Sequence, residues 1–228
     1  MHARTNHILL SARVLLTLAL LLGGAAAANP SANALIDAIR NGQTERVAIL
    51  LDNGVSPEVA TRKGQLAGKT ALMWAAESGN TEIIGLLLEY GAEVDRTNPK
   101  GGTALMYAAV EGHVAAIEQL VAAGADPNHT VRLGWTPLML ATVKGHVEAV
   151  RKLVELGADP TRRDAYNWTL LMHAVERGDV AMARTLIELG LQPAAEDGAG
   201  NSALSIAARR GHQQLLELLR NGAEPSGV

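Results

Sequence analysis

Apolar residues along the chain fall into short helical runs separated by glycine. In one unit, apolar residues fill positions 104–110 and stop at Gly112, and a second run at helical spacing begins at His113 and ends at Gly124. Each run predicts a short amphipathic helix. Thr103 is placed to cap the first helix, and glycine permits the left-handed backbone that ends it. The unit therefore predicts two helices joined by a turn.

The unit recurs with a constant period. The glycine that ends the first run stands at Gly79, Gly112, Gly145, Gly178 and Gly211, and a hydroxyl residue stands nine positions earlier at Thr70, Thr103, Thr136, Thr169 and Ser202. A fixed spacing of 33 residues predicts a solenoid, in which each unit buries its apolar face against its neighbours. The extended surface of a solenoid favours binding over catalysis.

One unit carries a fuller motif, made of Gly134, Thr136, Pro137, Leu138, Ala141, Gly145, His146, Gly157, Ala158 and Asp159. This motif resembles the ankyrin repeat and lacks only the histidine that usually follows the leucine. The resemblance implies an all-α ankyrin-repeat solenoid of about six helix-turn-helix units with projecting hairpin loops. The expected divisions are an N-terminal cap repeat with a long loop over 31–68, internal repeats at 69–101, 102–134, 135–167 and 168–200, and a C-terminal cap repeat over 201–228.

The N-terminal segment predicts export. Arg4 and Arg13 precede an apolar run over 14–22, and small residues follow up to Ala28. This order is typical of a cleavable signal peptide, so residues 1–28 are expected to be removed and the mature chain to begin at Asn29. Retention as a membrane anchor is the alternative, although the apolar stretch is shorter than the ~20 residues of a spanning helix. The expected location is periplasmic or secreted.

Composition narrows the possible functions. Of 228 residues, 48% are hydrophobic, only 3% are aromatic, and cysteine is absent, which excludes disulfides and every site that uses a thiolate. Without residues 1–28 the chain has 18 basic and 23 acidic side chains, a formal net charge of −5. A chain with this balance is a poor general nucleic-acid binder.

The resemblance implies which positions form a concave binding surface: the loop tips, the residue before the threonine, and the end of the first helix. The residues carried over as the predicted protein-binding set are Trp135, Trp168, Tyr166, Leu133, Arg132, Lys144 and Arg177. Tryptophan and tyrosine are enriched in binding hot spots, and the two tryptophans of adjacent repeats predict one aromatic patch. The alternative is that both rings pack internally. The basic members, with Arg162, Arg163, Arg209 and Arg210, either suit an acidic partner or are solvated charges.

Two further features allow two interpretations each. The loop over 61–68 is four residues longer than in other units, so it either contacts a partner or is a neutral insertion.

Methionine stands at four positions where the family usually has histidine: Met73, Met106, Met139 and Met172. Methionine fills irregular core gaps, and a packing role is favoured over the alternative of a copper-binding or oxidant-sensing ladder.

The sequence lacks the residues of a recognisable catalytic site. His113, His146 and His212 repeat with the period, which indicates an architectural role, and His173 inside a first helix is expected to be a buried, satisfied histidine. No nucleophile elbow, zincin motif or phosphate loop is present. We therefore expect no enzyme activity, no cofactor and no metal.

The combined prediction is an exported protein that binds another protein through its concave surface, in its most specific form assisting or regulating a periplasmic enzyme. It is expected to be a monomer and to bind neither nucleic acid nor, once the signal peptide is removed, a membrane. Two alternatives remain: a structural envelope scaffold without a specific concave-site partner, and a metal or oxidant sensor that uses the methionine ladder.

Overall fold

Twelve α-helices in six consecutive pairs make up the part of the chain that the computed structural model describes, residues 32–61 and 67–222. The expectation of an all-α chain of helix-turn-helix units is confirmed. The helices are α1 (Ala32–Arg40), α2 (Thr44–Asp52), α3 (Ala71–Ser78), α4 (Thr81–Glu89), α5 (Ala104–Glu111), α6 (Val114–Ala122), α7 (Pro137–Lys144), α8 (Val147–Glu155), α9 (Leu170–Glu176), α10 (Val180–Glu188), α11 (Ala203–Arg210) and α12 (Gln213–Asn221). Residues 1–28, predicted as a signal peptide, and most of the long first loop lie outside the described residues.

The first helix of each pair packs against the first helix of the next pair, and the second helices form a parallel row of contacts. Small side chains permit this close approach: Ala75, Ala76, Ala108 and Ala109 are completely buried in α3 and α5. The core is one continuous cluster that extends from α1 to α12. Within the ranges given above, no helix is both long and apolar enough to cross a bilayer.

The periodic hydroxyl residues cap the first helices, with one exception. Thr70, Thr136, Thr169 and Ser202 each accept a hydrogen bond at 3.2 Å from the backbone N–H three residues on. Thr103 precedes α5 in extended backbone, but its hydroxyl accepts no such bond, and its buried Oγ1 has no partner in the described part of the chain. The predicted capping bond of Thr103 is therefore wrong, although the helix begins where expected.

The periodic glycine is required for two reasons. Gly112 has a φ of 73°, and a Cβ added there would lie 2.5 Å from the ring of His146 in the next repeat. That ring donates through Nε2 to the carbonyl of Val110 at 2.9 Å, and His113 makes the same bond to Glu77 one repeat earlier at 3.0 Å. His113 and His146 therefore join neighbouring units, as expected, whereas the buried Nε2 of His212 has no hydrogen-bond partner among the described residues. His113 caps α6 rather than beginning it, so the predicted start is one residue early.

The methionine ladder is part of the core. Met73, Met139 and Met172 are fully buried, and Met106 is 4% exposed. The sulfur of Met73 also accepts the backbone N–H of Thr70 at 3.4 Å, which gives the helix start a reciprocal pair of hydrogen bonds. Burial and capping both support the packing interpretation of these residues.

Candidate functional site

A cavity of about 510 Å³ lies where the loops before α7, α9 and α11 meet the start of α9. We call it the open cavity; it is lined by Leu133, Trp135, Asp164, Tyr166, Trp168, His173, Asp197, Gly198 and Ala199. Four of these residues, Leu133, Trp135, Tyr166 and Trp168, belong to the predicted protein-binding set. Tyr166 is 66% exposed and Leu133 is 44% exposed. The structure thus brings the aromatic and apolar members of that set together.

The basic members of the predicted set do not line the open cavity. Arg132, Lys144 and Arg177 are all exposed. Of the other arginines in the predicted strip, Arg163 donates to the carbonyls of Asn167 and Glu196, and Arg210 forms an ion pair with Glu176. Part of the strip is therefore committed to contacts within the chain.

A repeating loop structure positions the cavity walls. Asn98, Asp164 and Asp197 are spaced by multiples of 33 residues, and the Oδ1 of each accepts backbone N–H groups two and four residues on. This pattern is the Asx turn, in which a short polar side chain closes the loop. The Asp164 turn fixes the backbone of Tyr166 and Trp168, and the Asp197 turn forms the opposite wall.

Val131 occupies the same position in the loop before α7 and cannot supply that acceptor. The chain there forms a short 3₁₀ turn over Arg132–Gly134 instead, with Leu133 at a φ of 68°. A branched apolar side chain rarely adopts this left-handed conformation, which costs about 1–2 kcal/mol. Backbone strain of this kind is concentrated at functional sites. Leu133 therefore presents an exposed apolar side chain at the rim at some cost in stability.

His173 joins the two tryptophans at the base of the open cavity. Its ring centroid lies 5.2 Å from each of the rings of Trp135 and Trp168. Its Nε2 lies 3.1 Å from Oδ2 of Asp164, and because a carboxylate can only accept, Nε2 carries the hydrogen. Burial lowers the pKa of His173, although Asp164 opposes the shift. The expectation of a buried, hydrogen-bonded histidine is confirmed.

The cavity walls also carry a second carboxylate. The Nε1 of Trp168 donates to Oδ2 of Asp197 at 3.0 Å, and Asn201 donates to both oxygens of the same carboxylate. The hydrogen bonds from Asn201, with smaller contributions from Ala199 and Trp168, hold the pKa of Asp197 below its usual value. Asp197 is consequently ionised at neutral pH and fixes the orientation of the Trp168 ring.

A second aromatic cluster lies near the N-terminal end of the stack. The Lys69 ammonium lies 3.8 Å from the Trp74 ring centroid and 4.4 Å from the Tyr107 centroid, and it forms an ion pair with Glu77. Lys69 is only 1% exposed, and burial lowers its pKa against the opposing effect of Glu77. We call Lys69, Trp74, Glu77 and Tyr107 the filled cage. Cation–π contacts in such a desolvated setting contribute about 2 kcal/mol.

Comparison with known proteins places the chain in a family. The profile described as ankyrin repeats (3 copies) matches residues 7–98, 35–131, 93–164 and 162–227. The chain belongs to the ankyrin-repeat family. It is also 34% identical over 65 residues to the Notch-regulated ankyrin repeat-containing protein of Xenopus laevis, a match that covers 28% of this chain and 57% of that protein. The ankyrin-repeat fold expected from the sequence is confirmed.

Ankyrin repeats generally mediate protein–protein interaction, and the open cavity uses positions that vary between these repeats. Sequence reasoning found its tryptophans but not Asp164, Asp197 or the role of His173. The aspartates could have been found, because with Asn98 they keep the 33-residue period. The contact of His173 with both tryptophans could not have been found from the sequence, because it depends on how adjacent ankyrin repeats pack.

Proposed function

We propose that this ankyrin-repeat protein binds another protein through the surface that contains the open cavity. The observation that carries the proposal is the convergence of Leu133, Trp135, Tyr166 and Trp168 on one cavity of about 510 Å³, a volume within the ~300–1,000 Å³ typical of ligand sites. Large aromatic residues in a partly desolvated pocket are the usual centre of a binding hot spot. The strained and exposed Leu133 gives further support.

We also propose that the protein is exported and acts in the periplasm or outside the cell, where it assists or regulates an enzyme. Export is supported by the order of charge, apolar run and small residues over 1–28. Fractionation of cells that make the full chain with a C-terminal tag, followed by N-terminal sequencing, tests this part. A mature chain that begins at Asn29 in the periplasmic or secreted fraction is the expected result, and a cytoplasmic chain that retains Met1 would refute export.

Affinity capture from the producing cells tests the binding role. The tagged chain is compared with a Leu133→Ser/Tyr166→Ala variant, which changes the two exposed large hydrophobic residues of the cavity and avoids the half-buried tryptophans. Ile49→Ser in α2 is the matched control, because Ile49 is also an exposed apolar residue, at 37%. We expect a captured protein to be lost from the double variant and retained by the control. Equal capture by all three chains would exclude the open cavity as the binding surface.

A further inference from the structure

The residues that line the open cavity carry negative charge and no permanent positive charge. Three aromatic rings, Trp135, Tyr166 and Trp168, share it with the carboxylates of Asp164 and Asp197, and no lysine or arginine is among its lining residues. His173 supplies no positive charge at neutral pH, because burial lowers its pKa. The lining is thus aromatic and anionic, although arginines stand elsewhere on the neighbouring loops.

Aromatic faces attract cations through the electron density above the ring. Carboxylates add a direct charge attraction that strengthens where water is excluded. Asp164 is fixed by three donors, the backbone N–H groups of Tyr166 and Trp168 and the ring of His173. Its negative charge is therefore preorganised at the base of the cavity and need not reorient when a ligand enters.

The chain itself shows what such surroundings hold. In the filled cage, two aromatic rings and one carboxylate enclose the ammonium of Lys69. The two clusters share two positions of the repeat, the residue before the periodic threonine and the residue four after it. The rings come from the later position in the filled cage, whereas both tryptophans of the open cavity come from the earlier position. In the filled cage the protein itself provides the cation, through Lys69. The open cavity also combines aromatic rings with carboxylates, although these come from other positions of the repeat, and no lysine or arginine lines it.

We propose that the open cavity is a subsite for a cationic side chain, lysine or arginine, that a protein partner projects into it. The inference rests on the proposed function and specifies the charge of the partner at the contact. The volume of about 510 Å³ leaves room for a long side chain together with the adjoining backbone. The partner surface is therefore basic at this point, which differs from the acidic partner that the arginine strip alone would suit.

The three tryptophans of the chain provide the test. Their indole N–H signals, assigned by single Trp→Phe variants, are followed by NMR while short capped peptides are titrated into the full chain. The probes are acetyl-Gly-Lys-Gly-amide and acetyl-Gly-Arg-Gly-amide, with Gln and Glu versions as neutral and anionic controls. Trp74 is an internal control, because Lys69 already occupies its cage.

We expect the cationic peptides to shift the Trp135 and Trp168 signals with millimolar affinity and to leave Trp74 unchanged. Tyr166→Ala should weaken this binding about threefold, the value of one exposed cation–π contact, and Asp197→Asn should weaken it further. Ile49→Ser should have no effect. Equal shifts with the Glu peptide, or no shift of Trp135 and Trp168 with any peptide, would overturn the proposal.

The two proposals can fail separately. Capture that depends on Leu133 and Tyr166, combined with no response to cationic peptides, would leave the protein-binding role standing and refute the cationic subsite. Selective peptide binding without a partner that depends on the cavity would support the subsite and refute the proposed role of this surface in capture.

Discussion

The filled cage and the open cavity show two uses of the same repeat positions. Trp74, Tyr107 and His173 each stand four residues after the periodic threonine of their repeat. Lys69, Trp135 and Trp168 each stand directly before that threonine. In the filled cage the aromatic rings come from the later position and enclose a cation from the earlier one. In the open cavity these roles are reversed, since the rings come from the earlier position and enclose His173.

The difference lies in what remains accessible. The Lys69 ammonium is buried between rings supplied by two repeats and neutralised by Glu77, so the filled cage joins neighbouring units. Around His173, the rings stand on loops whose tips carry exposed Leu133 and Tyr166, and a cavity remains. The repeat architecture therefore fixes where the side chains meet, while the residue at each position decides whether the cluster stabilises the stack or stays available to a partner.

Removal of one charge from the filled cage should have the largest effect on stability. Glu77→Gln leaves the Lys69 ammonium in a buried site without its carboxylate, whereas Lys69→Met fills the same space with an apolar chain. Removing one partner of a buried ion pair costs about 3–5 kcal/mol, whereas replacing the whole pair by apolar residues is often neutral. Because Glu77 is partly exposed, we expect a loss of about 2 kcal/mol for Glu77→Gln. Lys69→Met should cost less, because its apolar chain fills the site and Glu77 stays partly in water, although the cation–π contacts are lost.

Urea unfolding followed by circular dichroism measures both changes. The double variant Lys69→Met/Glu77→Gln is the control and should recover most of the stability, since no buried charge is then left unpaired. Similar small losses in both single variants would show that the ion pair contributes little and that the filled cage is held by ring packing alone.

The two clusters should also respond to different ranges of pH. Burial lowers the pKa of His173 below the 6.5 of a histidine in the unfolded chain. Between the folded and the unfolded pKa, the unfolded chain therefore binds more protons than the folded chain. Its contribution to the unfolding free energy is therefore lost as pH falls from 6.5, with a slope of at most about 1.4 kcal/mol per pH unit. Burial also lowers the pKa of Lys69 below its ordinary value of 10.5. Below pH 10.5 the unfolded chain again binds more protons, so stability should rise with pH in the alkaline range.

Reciprocal variants separate these two effects. His173→Gln keeps a donor for Asp164 without a titrating ring and should flatten the acid slope only. Lys69→Met should flatten the alkaline slope only. The alkaline measurements stop near pH 10, because Tyr107, whose pKa burial raises, titrates above that range. An acid slope that persists in His173→Gln would assign it to other groups.

Periodicity accounts for how much the sequence predicted. The fold followed from glycine and threonine at a spacing of 33 residues, because that period imposes the same helix ends on every unit. Trp135 and Trp168 were predicted as site residues because the resemblance to ankyrin repeats implies that the residue before the threonine faces the concave side. The predicted roles of Arg132, Lys144 and Arg177 stay predictions. Arg210 forms an ion pair with Glu176 of the neighbouring repeat. Such pairing depends on whether a side chain is close enough to a partner in the next repeat, and the sequence pattern does not contain that distance.

The smallest expected effect concerns the rim of the open cavity, for which the filled cage has no counterpart. Leu133→Gly places the residue that tolerates a φ of 68° in the strained turn. Relief of that strain, less the entropy that glycine loses on folding, should raise the unfolding free energy by about 0.5 kcal/mol. The same change should weaken binding of the cationic peptides, because it removes an apolar wall. Leu133→Ala is the matched control: it removes the side chain, keeps the strain, and should weaken binding without any gain in stability. A loss of stability in both variants would show instead that Leu133 supports the fold, in which case its exposure at the rim is not a binding feature.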